Sequence, residues 1–219
     1  MRKVLLSIVI SGFVLPIWAF DMSVGGEVFY SSNFGGGITL DFPAEVLGKV
    51  KITTPNNTGG VNVFFDAKYV GVSIGCMIAN ESVKEEHLNR SLKRDLGEIL
   101  YISTNFGFII KYPIGLLETV KLFPAIGSYY EYRFTSNIYD ADLHKMGRLW
   151  IKFGAGADFD LSKKMYLRST LLYGIGLKNK YEEDWAESFR ETLIYNEAVK
   201  ADVNLSHGLT AKIGIGFKI

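Results

Sequence analysis

The sequence predicts an all-β protein whose single domain is an eight-stranded antiparallel up-and-down transmembrane β-barrel. Apolar residues alternate with small or polar residues along most of the chain, as strands between lipid and a lumen require. The 23 Gly, 5 Pro and 14% aromatic residues are typical of a strand-rich chain. After residue 20 there is no apolar run of about 20 residues, the length that a membrane-spanning helix needs. A helical bundle is therefore excluded.

The first 19 residues have the organisation of a secretory signal. Met1-Arg2-Lys3 is a short basic start, the segment from Val4 to Ile17 is apolar, and Ala19 is a small residue suited to cleavage. Pro16 interrupts the apolar stretch, which argues against the alternative of a retained anchor helix. We expect this segment to be cleaved, residues 20–219 to form the barrel domain, and the protein to reside in the outer membrane of a diderm bacterium.

The clearest alternation runs from Leu149 to Leu161. Its odd-numbered positions are all apolar, whereas its even-numbered positions include Lys152, Asp158 and two glycines. After a polar turn at 162–164 the alternation resumes up to residue 177, which predicts a β-hairpin. The alternation predicts that Ile151 and Phe153 face lipid, and the same pattern in the last strand predicts this for Ile213 and Ile215.

The same reading along the chain gives eight strands joined by alternately short and long connections. The strands are 22–30, 61–69, 72–78, 100–110, 122–134, 149–161, 166–177 and a last one read as a single long strand from Val199 to Ile219. Short turns fall near 70, 112–118 and 162–164, and long connections fall at 32–60, 80–97, 135–147 and 179–198. Short turns belong to the periplasm and long loops to the exterior. The alternative is ten strands, either with a further hairpin from 38–42 and the region of Ile52, or with the last strand broken at 206–208.

The inward positions of these strands carry charges of both signs among many glycines. An eight-stranded barrel is only just filled by side chains, and an unpaired charge inside it would be costly. We therefore expect an ion-pair network that fills the lumen, with Arg168 contacting Asp158 across the hairpin; a gate or ion path is the alternative. The predicted members are Glu27, Asp66, Lys68, Lys121, Glu131, Arg133, Arg148, Lys152, Asp158, Arg168 and Lys212.

With the signal, two segments carry a family resemblance: the hairpin Phe159-Asp160-Leu161-Ser162-Lys163-Lys164-Met165-Tyr166-Leu167-Arg168, and the closing strand Ile213-Gly214-Ile215-Gly216-Phe217-Lys218-Ile219. The chain resembles, over residues 20–219, the small outer-membrane barrels of the OmpX, opacity-protein and OmpW kind. The resemblance implies outer-membrane lipids and the barrel-assembly machinery as partners. It also implies an assembly signal at Ile215, Phe217 and Ile219, although members usually end on an aromatic residue and Ile219 departs from that rule.

Several other classes of function lack support in the sequence. Lys plus Arg total 24 against 23 Asp plus Glu, so the basic excess of a nucleic-acid-binding protein is missing. The single cysteine, Cys76, rules out an intramolecular disulfide and a cysteine-based zinc cluster. His87, His144 and His207 are scattered, and no His-x-Ser spacing occurs. We predict that the protein is not an enzyme and uses no cofactor or metal.

The long connections leave the function open between two hypotheses. Trp185, Phe189 and Leu193 repeat at four-residue spacing after Asp184, which predicts a short amphipathic helix that begins with a capping box of Asp184 and Glu187. The segment 81–95 has mixed charges, as a solvated loop does. We predict a structural and surface-interaction scaffold that displays external loops to a host or extracellular ligand. The alternative is a narrow porin-like or OmpW-like channel for small or hydrophobic solutes.

Overall fold

The computed structural model describes residues 22–43, 48–88, 92–136, 147–191, 193–194 and 197–219. Its strands are β1 (Met22–Gly35), β2 (Ile38–Asp41), β3 (Lys49–Thr53), β4 (Asn56–Ala67), β5 (Val70–His87), β6 (Leu92–Lys111), β7 (Ile114–Leu117), β8 (Val120–Ser136), β9 (Arg148–Asp160), β10 (Met165–Gly176), β11 (Leu193–Ile194), β12 (Glu197–Ala198), β13 (Lys200–Val203) and β14 (Ser206–Lys218). A helix, α1 (Lys180–Arg190), precedes β11. The expected signal peptide, residues 1–19, and most of the expected loop 135–147 lie outside the described residues.

Eight of these strands close into an antiparallel barrel, which confirms the predicted fold class. The order around the wall is β1, β4, β5, β6, β8, β9, β10 and β14. β1 closes the ring because Ser23 lies opposite Lys218 of β14 on one side and opposite Asp66 of β4 on the other. Every other neighbour in the wall is also the next barrel strand along the chain. The topology is therefore up-and-down.

The alternation in the sequence becomes an apolar outer face and a polar inner face. The residues predicted to face lipid all point outward, and the side chain of Ile213 is 50% exposed on β14. Its neighbours Lys212 and Gly214 point inward and are buried. A closed barrel satisfies every strand hydrogen bond within the wall, and the apolar outer face replaces water with lipid. The fold is that of an outer-membrane barrel with transmembrane strands. Within the described residues, no helix has the length and apolar character that crossing a bilayer requires.

The two ends of the barrel differ. At one end, called here the turn end, the chain reverses at Lys68–Tyr69, along residues 112–119 and at 161–164. Lys68 adopts the left-handed φ of 33° that this tight reversal imposes. At the opposite, extended end, β5 and β6 continue as a paired hairpin up to His87 and Leu92. The prediction of a long loop at 80–97 is therefore wrong, because most of this segment is strand.

A small subdomain, called here the cap, stands on the extended end and consists of β2, β3, β13 and α1. β13 pairs with β2, β2 with β3, and β3 with the far end of β5. The prediction of one long last strand is wrong, because Asn204 and Leu205 separate β13 from β14. Opposite this break, Gly35, Gly36 and Gly37 have φ values of 76°, 72° and 88°, a left-handed bend that glycine adopts without steric cost. The extra hairpin of the ten-stranded alternative exists as β2 and β3, but it lies outside the barrel.

The helix α1 covers the cap sheet. Ala186 is buried with Ile38, Val50 and Ala201 in the cap core, and the rings of Trp185 and Phe189 pack against its edge. The predicted amphipathic helix is present with Trp185 and Phe189, but it ends at Arg190, so the prediction is wrong for Leu193, which lies in β11, and for the capping box. The N-cap lies five residues before Asp184, at Asn179, whose side chain accepts from the Glu182 backbone N–H at 2.8 Å while the Glu182 carboxylate accepts from the Asn179 N–H.

Candidate functional site

Glycines on the inner wall make room for the long side chains of the lumen. A Cβ atom added at Gly216 would lie 2.2 Å from the ring of Tyr166, and one added at Gly25 would lie 2.4 Å from the ring of Phe64. Real Cβ atoms do not approach other atoms so closely. These glycines are therefore needed where a ring from the neighbouring strand crosses the inner face.

At the turn end, four residues form the turn-end cluster: Asp66, Lys111, Asp158 and Arg168. Asp66 accepts from Lys111 Nζ at 2.8 Å and also from Arg168. Arg168 donates from Nε and Nη2 to the two oxygens of Asp158, at 2.7 and 2.8 Å. The contact expected across the β9–β10 hairpin is therefore present. β4 and β10 are not neighbours in the wall, so the contact between Asp66 and Arg168 crosses the lumen.

In the middle of the barrel, a second cluster surrounds Glu27 of β1. Its carboxylate accepts from Lys212 Nζ at 2.7 Å and from Asn62 Nδ2 at 2.8 Å. Lys152 donates to Thr210 at 2.8 Å instead of reaching a carboxylate. The ammonium groups of Lys152 and Lys212 lie 5.1 and 4.7 Å from the ring centre of Tyr129. The negative face of an aromatic ring stabilises nearby cations. Tyr129 therefore offsets part of the repulsion between these two ammonium groups in the middle of the barrel.

Towards the extended end, Glu131 and Arg133 of β8 anchor a third group of polar contacts. Glu131 accepts from Tyr101 Oη and from Trp150 Nε1, both at 3.1 Å. Arg133 donates to Glu81 at 2.8 Å, and its guanidinium lies 3.8 Å above the ring of Tyr101. Glu81 is on β5 and Arg133 on β8, with β6 between them, so this pair also spans part of the lumen.

The outermost contact joins the barrel to the cap. Arg148 of β9 donates to Glu182 of α1, and both side chains are buried. Glu182 is also the acidic partner of the capping box that starts the helix. One carboxylate therefore ends the polar contacts of the lumen and fixes the first turn of the helix that covers them.

The residues expected in the lumen network are not all placed alike. Lys68 was expected on an inward strand position but lies in the exposed β4–β5 turn, 5.1 Å above the ring of Tyr69, because β4 ends at Ala67. Lys121 is on the inner face, opposite Asp158, yet among the described residues it forms no ion pair. Arg168 donates to both Asp158 oxygens. The other expected members take part in the contacts described above.

Sequence reasoning also missed three charged participants. Lys111 continues the inward parity of β6 by one step after Ile109, and Glu81 continues that of β5 after Ala79. Glu81 was assigned to a connection and Lys111 was left just outside its strand, because both strands were read as shorter than they are. Glu182 belongs to a helix that no local pattern links to Arg148, so no signal in the sequence could have found it.

The side chains leave little open space in the centre of the barrel. Two cavities of about 30 Å³ each flank Tyr129, large enough for single water molecules. A larger cavity of about 410 Å³ opens at the turn end. Between this cavity and the cap, the three groups of polar contacts lie one above another across the lumen.

The histidines and acidic residues do not assemble a metal centre within the described parts of the chain. His87 contacts Glu85 at 2.9 Å at the top of β5, and His207 pairs with the hydroxyl of Tyr173 at 2.7 Å on β14. Ile215 and Phe217, two residues of the expected assembly signal, point outward on β14, and Ile219 follows its last residue.

No family model matches the chain, and no curated protein matches it. Among solved structures it is similar to the outer membrane protein OprG from Pseudomonas aeruginosa, with 14% identity, 91% of this chain and 96% of that chain covered, and a TM-score of 0.49. Neisserial surface protein A is 13% identical, with 90% and 97% covered and a TM-score of 0.45. The N-terminal β-barrel domain of OprF from Pseudomonas aeruginosa is 12% identical, with 90% and 97% covered and a TM-score of 0.39.

Proposed function

We propose that this chain is an integral outer-membrane protein that acts as a non-catalytic structural and surface-interaction scaffold and displays its cap outside the cell. The observation that carries the proposal is the filled lumen beneath a folded cap. Asp66 and Arg168 meet across the barrel, and the cavities in its centre have room for single water molecules only. An open water-filled path needs a wider barrel.

The cap supports the part of the proposal that concerns display. It has its own apolar core and its own helix, and Arg148 and Glu182 tie it to the barrel. A segment that only closed a strand-to-strand connection would need neither. The adjoining end of β5 and β6 bears a mixed-charge surface, which includes Lys84, Glu86 and Lys93. We propose that an extracellular or host ligand binds this end of the molecule.

The outer face supports the membrane location. Large apolar side chains cover the wall, and in water such a surface would promote aggregation. We propose that outer-membrane lipids cover it, with the turn end in the periplasm. We further propose that the barrel-assembly machinery recognises Ile215, Phe217 and Ile219 at the closing strand, since two of these side chains lie on the lipid-facing side of β14.

The narrow-channel alternative is tested by recording refolded protein in planar lipid bilayers. We expect no discrete conductance steps, because paired charges and aromatic rings occupy the lumen. Reproducible unit steps from the unmodified protein would contradict the scaffold proposal and favour the channel.

Display of the cap end is tested by labelling intact cells with a membrane-impermeant maleimide. The lipid-facing Cys76 is first replaced by serine. In that background we expect Lys93→Cys, near the tip of the β5–β6 hairpin, to be labelled on intact cells. Lys163→Cys, in the turn between β9 and β10, is the matched control and should be labelled only after the outer membrane is permeabilised. The reverse pattern would contradict the proposed orientation.

A further inference from the structure

A cavity of about 410 Å³ opens at the turn end of the lumen, and it is lined with charged side chains. Five cationic side chains line it: Lys68, Lys111, Lys121, Arg168 and Lys218. Three carboxylate side chains line it as well: Asp66, Asp158 and Asp160. The side chains therefore have an excess of two positive charges.

All three carboxylates are already engaged. Asp66 accepts from Lys111 and Arg168, and Asp158 accepts from Arg168. Asp160 accepts from Lys218 at 2.7 Å.

Two lysines remain without a carboxylate partner among the described residues. Lys121 faces Asp158 in the β8–β9 register, where Arg168 donates to both oxygens, and the Lys121 ammonium forms no ion pair within the described residues. Lys68 lies above the ring of Tyr69 in the adjoining turn. Both lysines line the cavity, so an anion that enters it would meet two cations that form no ion pair within the described residues.

We propose that this cavity binds a phosphate group held by Lys68 and Lys121. A phosphate group offers several oxygens around one centre, and lysine binds it as a mobile point charge with three donors. The phosphate carries one negative charge in a phospholipid diester and up to two as the free anion, so either form offsets part or all of the positive side-chain excess. The hydroxyl groups of Ser23 and Tyr166, which hydrogen-bond each other at 2.8 Å, line the same cavity. They provide further polar contacts in its wall.

The same chemistry could come from free inorganic phosphate or from a phospholipid headgroup. The cavity opens at the edge of the wall, and the stacked rings of Tyr69 and Tyr112 lie close to Lys68 with their centres 5.9 Å apart. Aromatic girdles mark the level of the headgroups in barrels of this kind. A headgroup at the rim is therefore within reach of the opening, and the two sources are separated by experiment.

Isothermal titration calorimetry on the refolded full chain in a neutral, phosphate-free detergent tests the proposal at low ionic strength. The probes are inorganic phosphate and, separately, short-chain phosphatidylglycerol below its critical micelle concentration. We expect at least one probe to bind and Lys121→Met and Lys68→Met each to weaken its binding about tenfold, the loss of one charge-assisted contact. Added NaCl should also weaken binding. Binding of phosphate alone identifies the free anion as the source, and binding of the lipid alone identifies the headgroup.

Lys163→Met is the matched control, because Lys163 is an exposed lysine at the same end that does not line the cavity. We expect it to bind the probe as the unmodified protein does. Lys68 is exposed in a turn, so Lys68→Met tests the proposal even if Lys121→Met does not fold. The proposal is overturned if neither probe binds, if the two cavity variants bind with unchanged affinity, or if Lys163→Met weakens binding equally.

Discussion

Asp66 is the residue whose charge the turn-end cluster needs most, and Asp66→Asn removes that charge with little change in volume. Asp66 is 3% exposed, and its side chain accepts from Lys111 Nζ at 2.8 Å and from Arg168. Arg168 keeps its two bonds to Asp158, whereas Lys111 loses its only carboxylate within hydrogen-bonding distance among the described residues. Breaking a buried ion pair by removing one partner costs roughly 3–5 kcal/mol. Because Asp66 borders the turn-end cavity, which admits water, we expect a loss of about 3 kcal/mol.

Urea unfolding of the refolded barrel in lipid vesicles measures this loss as a change in the free energy of unfolding. The control is Glu86→Gln, which removes an ion pair with Lys93 at the extended end, where the two side chains are 37% and 74% exposed. Such exposed pairs contribute about 0–1 kcal/mol. The double variant Asp66→Asn/Lys111→Met should recover much of the loss, because it removes the stranded ammonium group. The reasoning is refuted if Asp66→Asn costs no more than Glu86→Gln.

Three further perturbations separate the lipid face, the inner wall and the cap. Ile213→Arg on the outer face should cost about 2–4 kcal/mol in the same unfolding assay, whereas Leu161→Arg in the exposed turn should cost less than about 1 kcal/mol; equal costs would mean that Ile213 does not face lipid. Gly75→Ala would place a Cβ 2.0 Å from Asn62 Oδ1 and should destabilise the barrel by about 1–3 kcal/mol. The Cβ of Gly59→Ala meets nothing within 4 Å, so this variant should be neutral or stabilise the barrel by up to about 1 kcal/mol. If both glycine variants lowered the free energy of unfolding, the assigned faces would be wrong. Glu182→Gln strands Arg148 and should accelerate proteolysis within α1 while the barrel stays protected; unchanged cleavage would show that the ion pair does not hold the cap.

The barrel could be predicted from the sequence because one physical rule acts on every strand. Residues between lipid and lumen must alternate, so Ile213 and Lys212 are assigned to opposite faces without any knowledge of their neighbours. The hairpin also brings Arg168 and Asp158 together by local geometry alone. Contacts between distant strands are different. The pair of Asp66 and Arg168 depends on the curvature of the closed wall, which alternation does not encode.

The cap shows where alternation stops being informative. Val199, Ala201 and Val203 share the parity of Leu205 and Leu209, so the pattern reads as one strand with one lipid-facing side. Val203 is nevertheless 8% exposed and packs in the cap core, whereas Leu205 is 45% exposed on the outer wall.

Alternation of apolar and polar residues shows that one face of a strand is apolar. It does not show whether lipid or a protein core covers that face, because both environments select for apolar residues. The information that separates the two environments lies elsewhere in the chain, in the three consecutive glycines at 35–37. Their left-handed backbone bends the chain from β1 into β2, opposite Asn204 and Leu205. The Asn204 N–H donates to the Gly37 C=O at 2.8 Å, at the point where these two segments leave the barrel wall side by side. The point at which β14 begins is therefore set by the glycines at the end of the neighbouring strand β1 as much as by the residues of β14 itself.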